Sequence, residues 1–408
     1  MFPKVSPDGE EIVDIIHAFP LTEQPGYQVI LSCLDILRPH LPHSLPLYRR
    51  LQFGRFFDSS VILSNLRKED IRLNVLPPGH GETPGFDGKG NESWRSQSGR
   101  DDALLKHWII AFVDRSSRPE TEAWMFGTWE CGSTTDQSGE EKREIERLVQ
   151  GVVHATARLL LPPSIHQQGP ITSTLTTTSK PNGQTENDKD SVGFTRTDYA
   201  SHTTNRNITL WGAIHTHTAQ TLQTLGVVPP EFKAGAVANH TFIFDIASMP
   251  TPPDLPKDLY WGTLSPTHFP LVRSRTPIPR QEKTMAVLPN LAIYPIQRSR
   301  PSKTSPEHDP VPNPIAWAFI GLDGSLTTLH VEPSYRNRGL AKALTTKLFR
   351  ENMSGFWEGG AEETKWAHGY VVVGNEASSG MCRSLGGRSE WECYWVRVDL
   401  GALALGNR

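Results

Sequence analysis

Between Leu326 and Ala341 the chain reads Leu-Thr-Thr-Leu-His-Val-Glu-Pro-Ser-Tyr-Arg-Asn-Arg-Gly-Leu-Ala. β-Branched and apolar residues give way to Pro333, then to Arg336 and Arg338, then to Gly339 and a helix-forming run. Arg336, Gly339 and Ala341 fit the spacing Arg/Gln-x-x-Gly-x-Gly/Ala. The chemistry that suits this pattern is diphosphate binding. The first turn of a helix leaves backbone N–H groups without partners inside the helix. Its dipole favours negative charge at the same place. Gly339 lets an anion approach the backbone, Ala341 leaves room one turn further in, and the two arginines add positive charge.

The elements that must hold this turn follow from its flanks. Leu326–Val331 is expected to be a strand, paired with Ile315–Gly321 around Leu322-Asp323-Gly324-Ser325, because Asp-Gly is a strong hairpin signal. A helix over about Arg338–Glu351 follows, with Leu340, Leu344 and Leu348 on one face for packing against a sheet. Gly369–Gly374 carries three consecutive valines and reads as a buried strand. Glu376–Leu385 reads as a helix and Trp391–Leu400 as an alternating strand. Upstream, Leu259–Leu264 and Asn290–Ile296 are strand candidates. A short helix is expected from Ser265 to Ser274, and a second from Ile278 to about Leu288.

This order and these residues resemble the GNAT superfamily of N-acyltransferases. The second signature is Gly374-Asn375-Glu376-Ala377-Ser378, a strand end leading into a helix. Pro333-x-Tyr335-Arg336, Asn375-Glu376-Ala377 and Trp391-x-Cys393 are most similar to the glycine N-acyltransferase-like branch. The fold implied is α/β (α+β): a mixed, mostly antiparallel sheet with flanking helices. The resemblance covers about a third of the chain strongly, from Asp258 to Leu400. It implies that the backbone of Leu329 and Val331 pairs with the pantetheine arm of acetyl-CoA or another acyl-CoA. It also implies that Arg336, Asn337, Arg338, Gly339, Leu340 and Ala341 surround the pyrophosphate, and that Asn375 and Ser378 border the thioester.

In this family the acyl carbon is attacked by an amine. The chain departs from the pattern at two points. Ser325 stands where glycine N-acyltransferases carry a Glu, and no Tyr lies between Glu376 and Gly387. The base is then His330, Glu332 or a water chain, and the proton donor Ser379, Cys382 or water, unless the amine arrives neutral and attacks directly. The expected function is acetyl transfer from acetyl-CoA to a primary amine of a small molecule or amino acid. The alternative is a non-catalytic acyl-CoA-binding or interaction protein with a degenerate active site, in which the missing Glu and Tyr reflect lost activity.

The 408 residues exceed one ordinary domain. A proline-rich stretch, Met249–Pro256, suggests an N-terminal domain at 1–250 and a C-terminal one at 257–405. In the N-terminal part His107–Val113 and Ala123–Glu130 form a hairpin pattern. Glu141–Leu161 is a helix, Ile208–Leu225 a second helix stopped by Gly226, and Thr241–Ile246 a strand. That order is compatible with a second, degenerate copy of the fold in tandem. It lacks the phosphate turn, so it is expected not to bind CoA and to shape the acceptor pocket. Residues 162–206, rich in Ser, Thr, Asn and Gly, are expected to be disordered, and 78–102 and 298–313 to be loops.

Composition removes other classes. The net charge of −3, with acids and bases mixed, gives no basic surface for nucleic acid. No apolar run approaches the ~20 residues of a membrane span. Four scattered cysteines argue against a disulfide framework or structural zinc and fit a cytoplasmic location. His215 and His217, two apart on the expected helix, face different ways and make no metal pair. No nucleophile-elbow, His-Glu-x-x-His or Walker motif occurs. No metal, nucleic-acid or membrane partner is expected.

Overall fold

The computed structural model describes residues 15–22, 26–57, 59–72, 106–132, 137–161, 202, 204–233, 236–252, 254–276, 280–296, 312–356 and 365–405. The expected loop at 78–102, the Ser/Thr-rich stretch at 162–206 up to residue 201, and 298–311 of the Pro/Ser loop lie outside them.

Two successive runs of elements repeat one order. The first is β1 (His17–Pro20), α1 (Gly26–Leu37), α2 (Leu45–Gln52), β2 (Ser60–Ser64), the short α3 (Lys68–Arg72), β3 (Ile109–Asp114), β4 (Ala123–Gly127), α4 (Gly139–Ala157), β5 (Ile208–His215), α5 (Thr216–Thr224), the short α6 (Pro230–Lys233) and β6 (Asn239–Asp245). The second is β7 (Leu259–Gly262), α7 (Phe269–Arg275), α8 (Glu282–Met285), β8 (Asn290–Pro295), β9 (Ala316–Ile320), β10 (Ser325–Val331), α9 (Leu340–Asn352), β11 (Trp366–Val372), α10 (Glu376–Ser384), β12 (Arg388–Asp399) and the short α11 (Ala402–Leu405). Apart from α3, α6 and α11 the two orders coincide. The expected α/β fold, its mixed sheet and its tandem arrangement are therefore present.

All twelve strands form one sheet in the order β1-β2-β3-β4-β5-β12-β6-β11-β10-β9-β8-β7. The closing strand of each half sits in the other half's territory. β12 lies antiparallel on β5, β6 lies antiparallel on β11, and β6 and β12 pair with each other. Each half has one parallel neighbour pair, β4–β5 and β10–β11; the other strand pairs are antiparallel.

Both faces of the sheet are covered, so its inner strands are apolar on both sides. In β3, Ile109, Ala111 and Val113 pack with α4 and α5, while Ile110 and Phe112 pack with α1 and α2. In β9, Ala316, Ala318 and Ile320 pack under Leu340, Leu344 and Leu348 of α9. Trp317 and Phe319 pack against Phe269, Val272 and Met285 of α7 and α8.

The same double burial explains one departure from the sequence reading. Ile208–His215 is a strand, not the first half of a helix. Seven of its eight residues are buried, so it shows no period-2 alternation, and pairing with β12 fixes it as extended. The helix begins only at Thr216, capped by His215, and ends before Gly226 at φ 69°. The helix expected from Ile278 is the single turn Glu282–Met285, with 277–279 outside the described residues.

Candidate acyl-CoA site

The site is built on β10. It pairs in parallel with β11 at only two positions, Ser325↔His368 and Leu326↔Gly369, and no further pair is formed toward Val331. On its other edge β10 follows β9, with an irregularity between Thr327 and His330. Thr328 within it has φ 54°. A bulge inserts an extra residue and resets which side chains share a face. Leu326, Leu329 and Val331 thus all pack toward α9. His330 faces the other way and stacks on Trp317, with ring centroids 4.6 Å apart and planes at 25°. The strands part where the bulge begins and leave a split between β10 and β11.

At the far end of β10 the chain makes a one-turn 3-10 helix, Pro333–Tyr335, and reaches α9 through Asn337 (φ 62°) and Gly339 (φ 76°, ψ 0°). A side chain at such a φ costs about 1–2 kcal/mol, which glycine avoids. Space is not the reason for glycine, because a Cβ on Gly339 would meet nothing within 4 Å. The helix start has no side-chain cap and no acid in its first turn. Leu340 is buried and anchors the helix, and Ala341 is half-buried. Arg336 and Arg338 are exposed beside the turn. Arg336 Nε donates to the Val331 carbonyl (3.0 Å). Arg338 Nη2 donates to the Ser334 carbonyl (3.2 Å), with its guanidinium 5.1 Å from the Tyr335 ring centroid. The result is an open, electropositive helix start facing solvent.

Across the split, Asn375 ends the β11 segment. Its Oδ1 accepts from the Ser378 amide (3.0 Å), so this side chain caps α10. Ser378 is half-buried. Ser379 and Cys382 are each 2 % exposed. Burial pushes the Cys382 thiol up to about 12, and its side chain packs in the core under α9. Neither is presented to the split as a free donor.

His330 and Glu332 come together on the face away from α9. Their Nε2 and Oε1 atoms are 3.7 Å apart, and Arg275 Nε donates to the same Oε1 at 2.9 Å. Burial lowers the His330 pKa below its ordinary 6.5, against the opposing pull of Glu332. The imidazole is therefore neutral at neutral pH, the form a proton acceptor needs.

Sequence reading missed a polar cluster beside the split. Tyr370 donates to Asp323 Oδ2 (3.0 Å) and lies 3.0 Å from His368 Nε2, while Ser325 Oγ donates to Asp323 Oδ1 (2.6 Å). Burial raises the Tyr370 pKa well above 10, so it is a phenol. Burial works against the Asp323 carboxylate. The His368 ring, with Nε2 3.9 Å from Oδ2, and hydrogen bonds from Ser325 nonetheless hold its pKa below the ordinary value. Ser325, noted for lacking the family's Glu, thus closes the β9–β10 turn. The signal available was Gly369-Tyr370-Val371, which puts a phenol opposite a valine in a buried strand.

The same positions in the first half are filled. Helix α4 starts with a complete capping box: Ser138 Oγ accepts from the Glu141 amide (3.2 Å) and Glu141 Oε2 accepts from the Ser138 amide (2.6 Å). Glu140 and Glu141 make its first turn acidic. The turn after β4 carries Trp129 and Glu130, both buried. Trp129 Nε1 donates to Thr218 Oγ1 (3.0 Å), which donates to Glu130 Oε1 (2.7 Å), tying the turn to α5. Among the described residues no hydrogen bond ties the Glu332–Gly339 turn to α10 in this way. His215 caps α5 where Asn375 caps α10.

Comparison with known sequences finds a family described as the N-terminal domain of the acyl-CoA N-acyltransferase verG over residues 19–244. It also finds the FR47-like protein family over residues 311–396. No curated protein matches. Among solved structures, a Drosophila protein of 13% identity aligns with 95% of this chain and 99% of its own, with a TM-score of 0.50. A tandem GNAT protein from the clavulanic acid biosynthesis pathway, solved without AcCoA, aligns over 95% and 99% at 9% identity and a TM-score of 0.41. A GCN5-related N-acetyltransferase from Sphaerobacter thermophilus aligns over 50% and 65% at 12% identity and a TM-score of 0.33.

Proposed function

The chain belongs to the acyl-CoA N-acyltransferase family that matches its residues 19–244, and from that premise we propose that its C-terminal half transfers acetyl from acetyl-CoA to the primary amine of a small molecule or amino acid. The observation that carries this reading is the uncapped start of α9 at Gly339, opening beside the β10–β11 split. The amides of Arg338, Gly339, Leu340 and Ala341 would hold the pyrophosphate, with Arg336 and Asn337 at its edge. The pantetheine arm would add to β10 along Leu329 and Val331, as a strand adds to a sheet edge. Asn375 and Ser378 would border its inner end.

The amine attacks the thioester carbonyl directly, the tetrahedral oxyanion collapses, and the CoA thiolate leaves. His330, neutral and stacked on Trp317, is the proposed proton acceptor, with the Glu332 carboxylate 3.7 Å from its Nε2. In the first half the capped, acidic start of α4 and the Trp129–Thr218–Glu130 tie favour a copy that does not bind CoA. We place the boundary between the two copies between residues 250 and 257. A cytoplasmic setting is part of the same reading. Among the described residues no helix is long and apolar enough to cross a membrane, and the four cysteines are unpaired. No group of three or more His, Cys, Asp or Glu among them could hold a metal.

The test is Gly339→Glu. It sets a carboxylate where the diphosphate would lie, with room for its side chain. Calorimetry should show acetyl-CoA binding to the wild type and none to the variant, while circular dichroism stays unchanged. Equal affinity in both would remove the cradle and the transferase reading with it.

A further inference from the structure

The face of the split opposite α9 holds a cation whose partner is missing among the described residues. Leu326 and Gly369 are the last paired residues of β10 and β11, and both face α9. Their successors Thr327 and Tyr370 therefore share the other face, at the point where the strands part. Arg280, from the α7–α8 connection, reaches over this face, and its Nη2 donates to Thr327 Oγ1 at 2.6 Å. Its guanidinium is half-buried, its Nε is buried without a hydrogen-bond partner, and it forms no ion pair with a described residue. Neighbouring Glu120 spends its carboxylate elsewhere: Oε1 accepts from the Gln281 amide (2.7 Å) and Oε2 from the Thr284 hydroxyl. A half-buried arginine with no direct ion pair and an unsatisfied buried Nε gains from an anionic ligand that completes it.

Beside it stands an aromatic wall. Tyr370 and Trp395 meet edge to face, with centroids 4.8 Å apart, and both are half-buried. Their polar tips are already engaged, Tyr370 Oη on Asp323 and Trp395 Nε1 on Thr121 Oγ1 (3.2 Å). What they leave to a ligand is ring surface. Tyr370 comes from β11 and Trp395 from β12, and Thr121 of the β3–β4 connection in the first half holds the indole in place.

We propose that the acceptor is an amino acid with an aromatic side chain, its carboxylate held by Arg280 and its ring lying on Tyr370 and Trp395, which leaves its amine at the split. The inference rests on the transferase reading above but adds to it three specificity residues, Arg280, Tyr370 and Trp395, and a substrate class. Guanidinium and carboxylate pair in a bidentate, charge-assisted geometry that an uncharged amine cannot reproduce.

The experiment compares phenylalanine, phenethylamine and glycine as acceptors with acetyl-CoA, in wild type, Arg280→Gln and Trp395→Ala. Turnover is followed by CoA release, and acceptor binding to the CoA-loaded protein by calorimetry. The expected result is a preference of roughly tenfold or more for phenylalanine over phenethylamine, lost in Arg280→Gln with acetyl-CoA affinity unchanged. Trp395→Ala should narrow the gap between phenylalanine and glycine. Phenethylamine working as well as phenylalanine overturns the proposal while leaving the transferase intact. So does Arg280→Gln reducing both equally, which would put the arginine at the reacting carbonyl. If no acceptor turns over, binding decides: phenylalanine that binds the wild type and not Arg280→Gln supports the clamp, and phenylalanine that binds neither overturns it.

Discussion

At His330, one ring does two jobs that follow from its neighbours. Stacking on Trp317 removes water and keeps the imidazole neutral, and Glu332, anchored by Arg275, lies against Nε2. The charged form is the one that burial disfavours, so the folded pKa lies below the ordinary value. If this imidazole accepts the amine's proton, kcat/KM should stay level as pH falls toward 6.5 and drop only below the normal histidine range. His330→Gln should cost about a hundredfold or more in kcat and abolish that acidic limb. A pH profile with an unchanged limb in His330→Gln would assign the proton to water or to another group. At this scale much was legible. Arg336, Gly339 and Asn375 stand at the positions their spacing implied, because a strand–turn–helix is encoded over a few adjacent residues. The Arg280–Thr327 contact was not legible, since it joins a loop to a strand 47 positions away. Nor was the bulge at Thr328, whose evidence is the register against β9.

The elements show why two copies of one order of strands and helices differ in use. Each has a 3-10 turn after its fourth strand and a long helix behind it, but only the first half's turn is tied by hydrogen bonds to the shorter helix that follows the fifth strand. Glu130 in that tie has consequences of its own. Burial pushes its pKa up from 4.5 to about 8. The folded chain therefore keeps a proton that the unfolded chain gives up above 4.5. Stability should be fullest below pH 4.5 and fall as pH rises through about 8, with no further loss beyond. Glu130→Gln, which keeps a partner for Thr218, should flatten the decline in Tm between pH 5 and 8. An equally steep decline in the variant would trace it to other groups. The misread of Ile208–Leu225 belongs here as well. A strand buried on both faces lacks the alternation that marks a strand, and its antiparallel ladder is supplied by β12, nearly two hundred residues on.

For the molecule as a whole, the exchange of β6 and β12 makes the two halves inseparable. Without β6, β11 would lose its antiparallel neighbour; without β12, β5 would lose one too. Differential scanning calorimetry should record one cooperative transition. The fragment 257–405 expressed alone should aggregate or fail to fold, and two independent transitions would contradict this account. The exchange left no trace in the sequence, because an antiparallel ladder is written in backbone atoms that every residue shares. It also sets a timetable. A nascent chain emerges N-terminus first, and β6 has neither of its neighbours until residues 366–399 have been synthesised. The early half must wait on the ribosome with an open seam, so the safe completion of each molecule depends on how quickly residues 366–399 arrive.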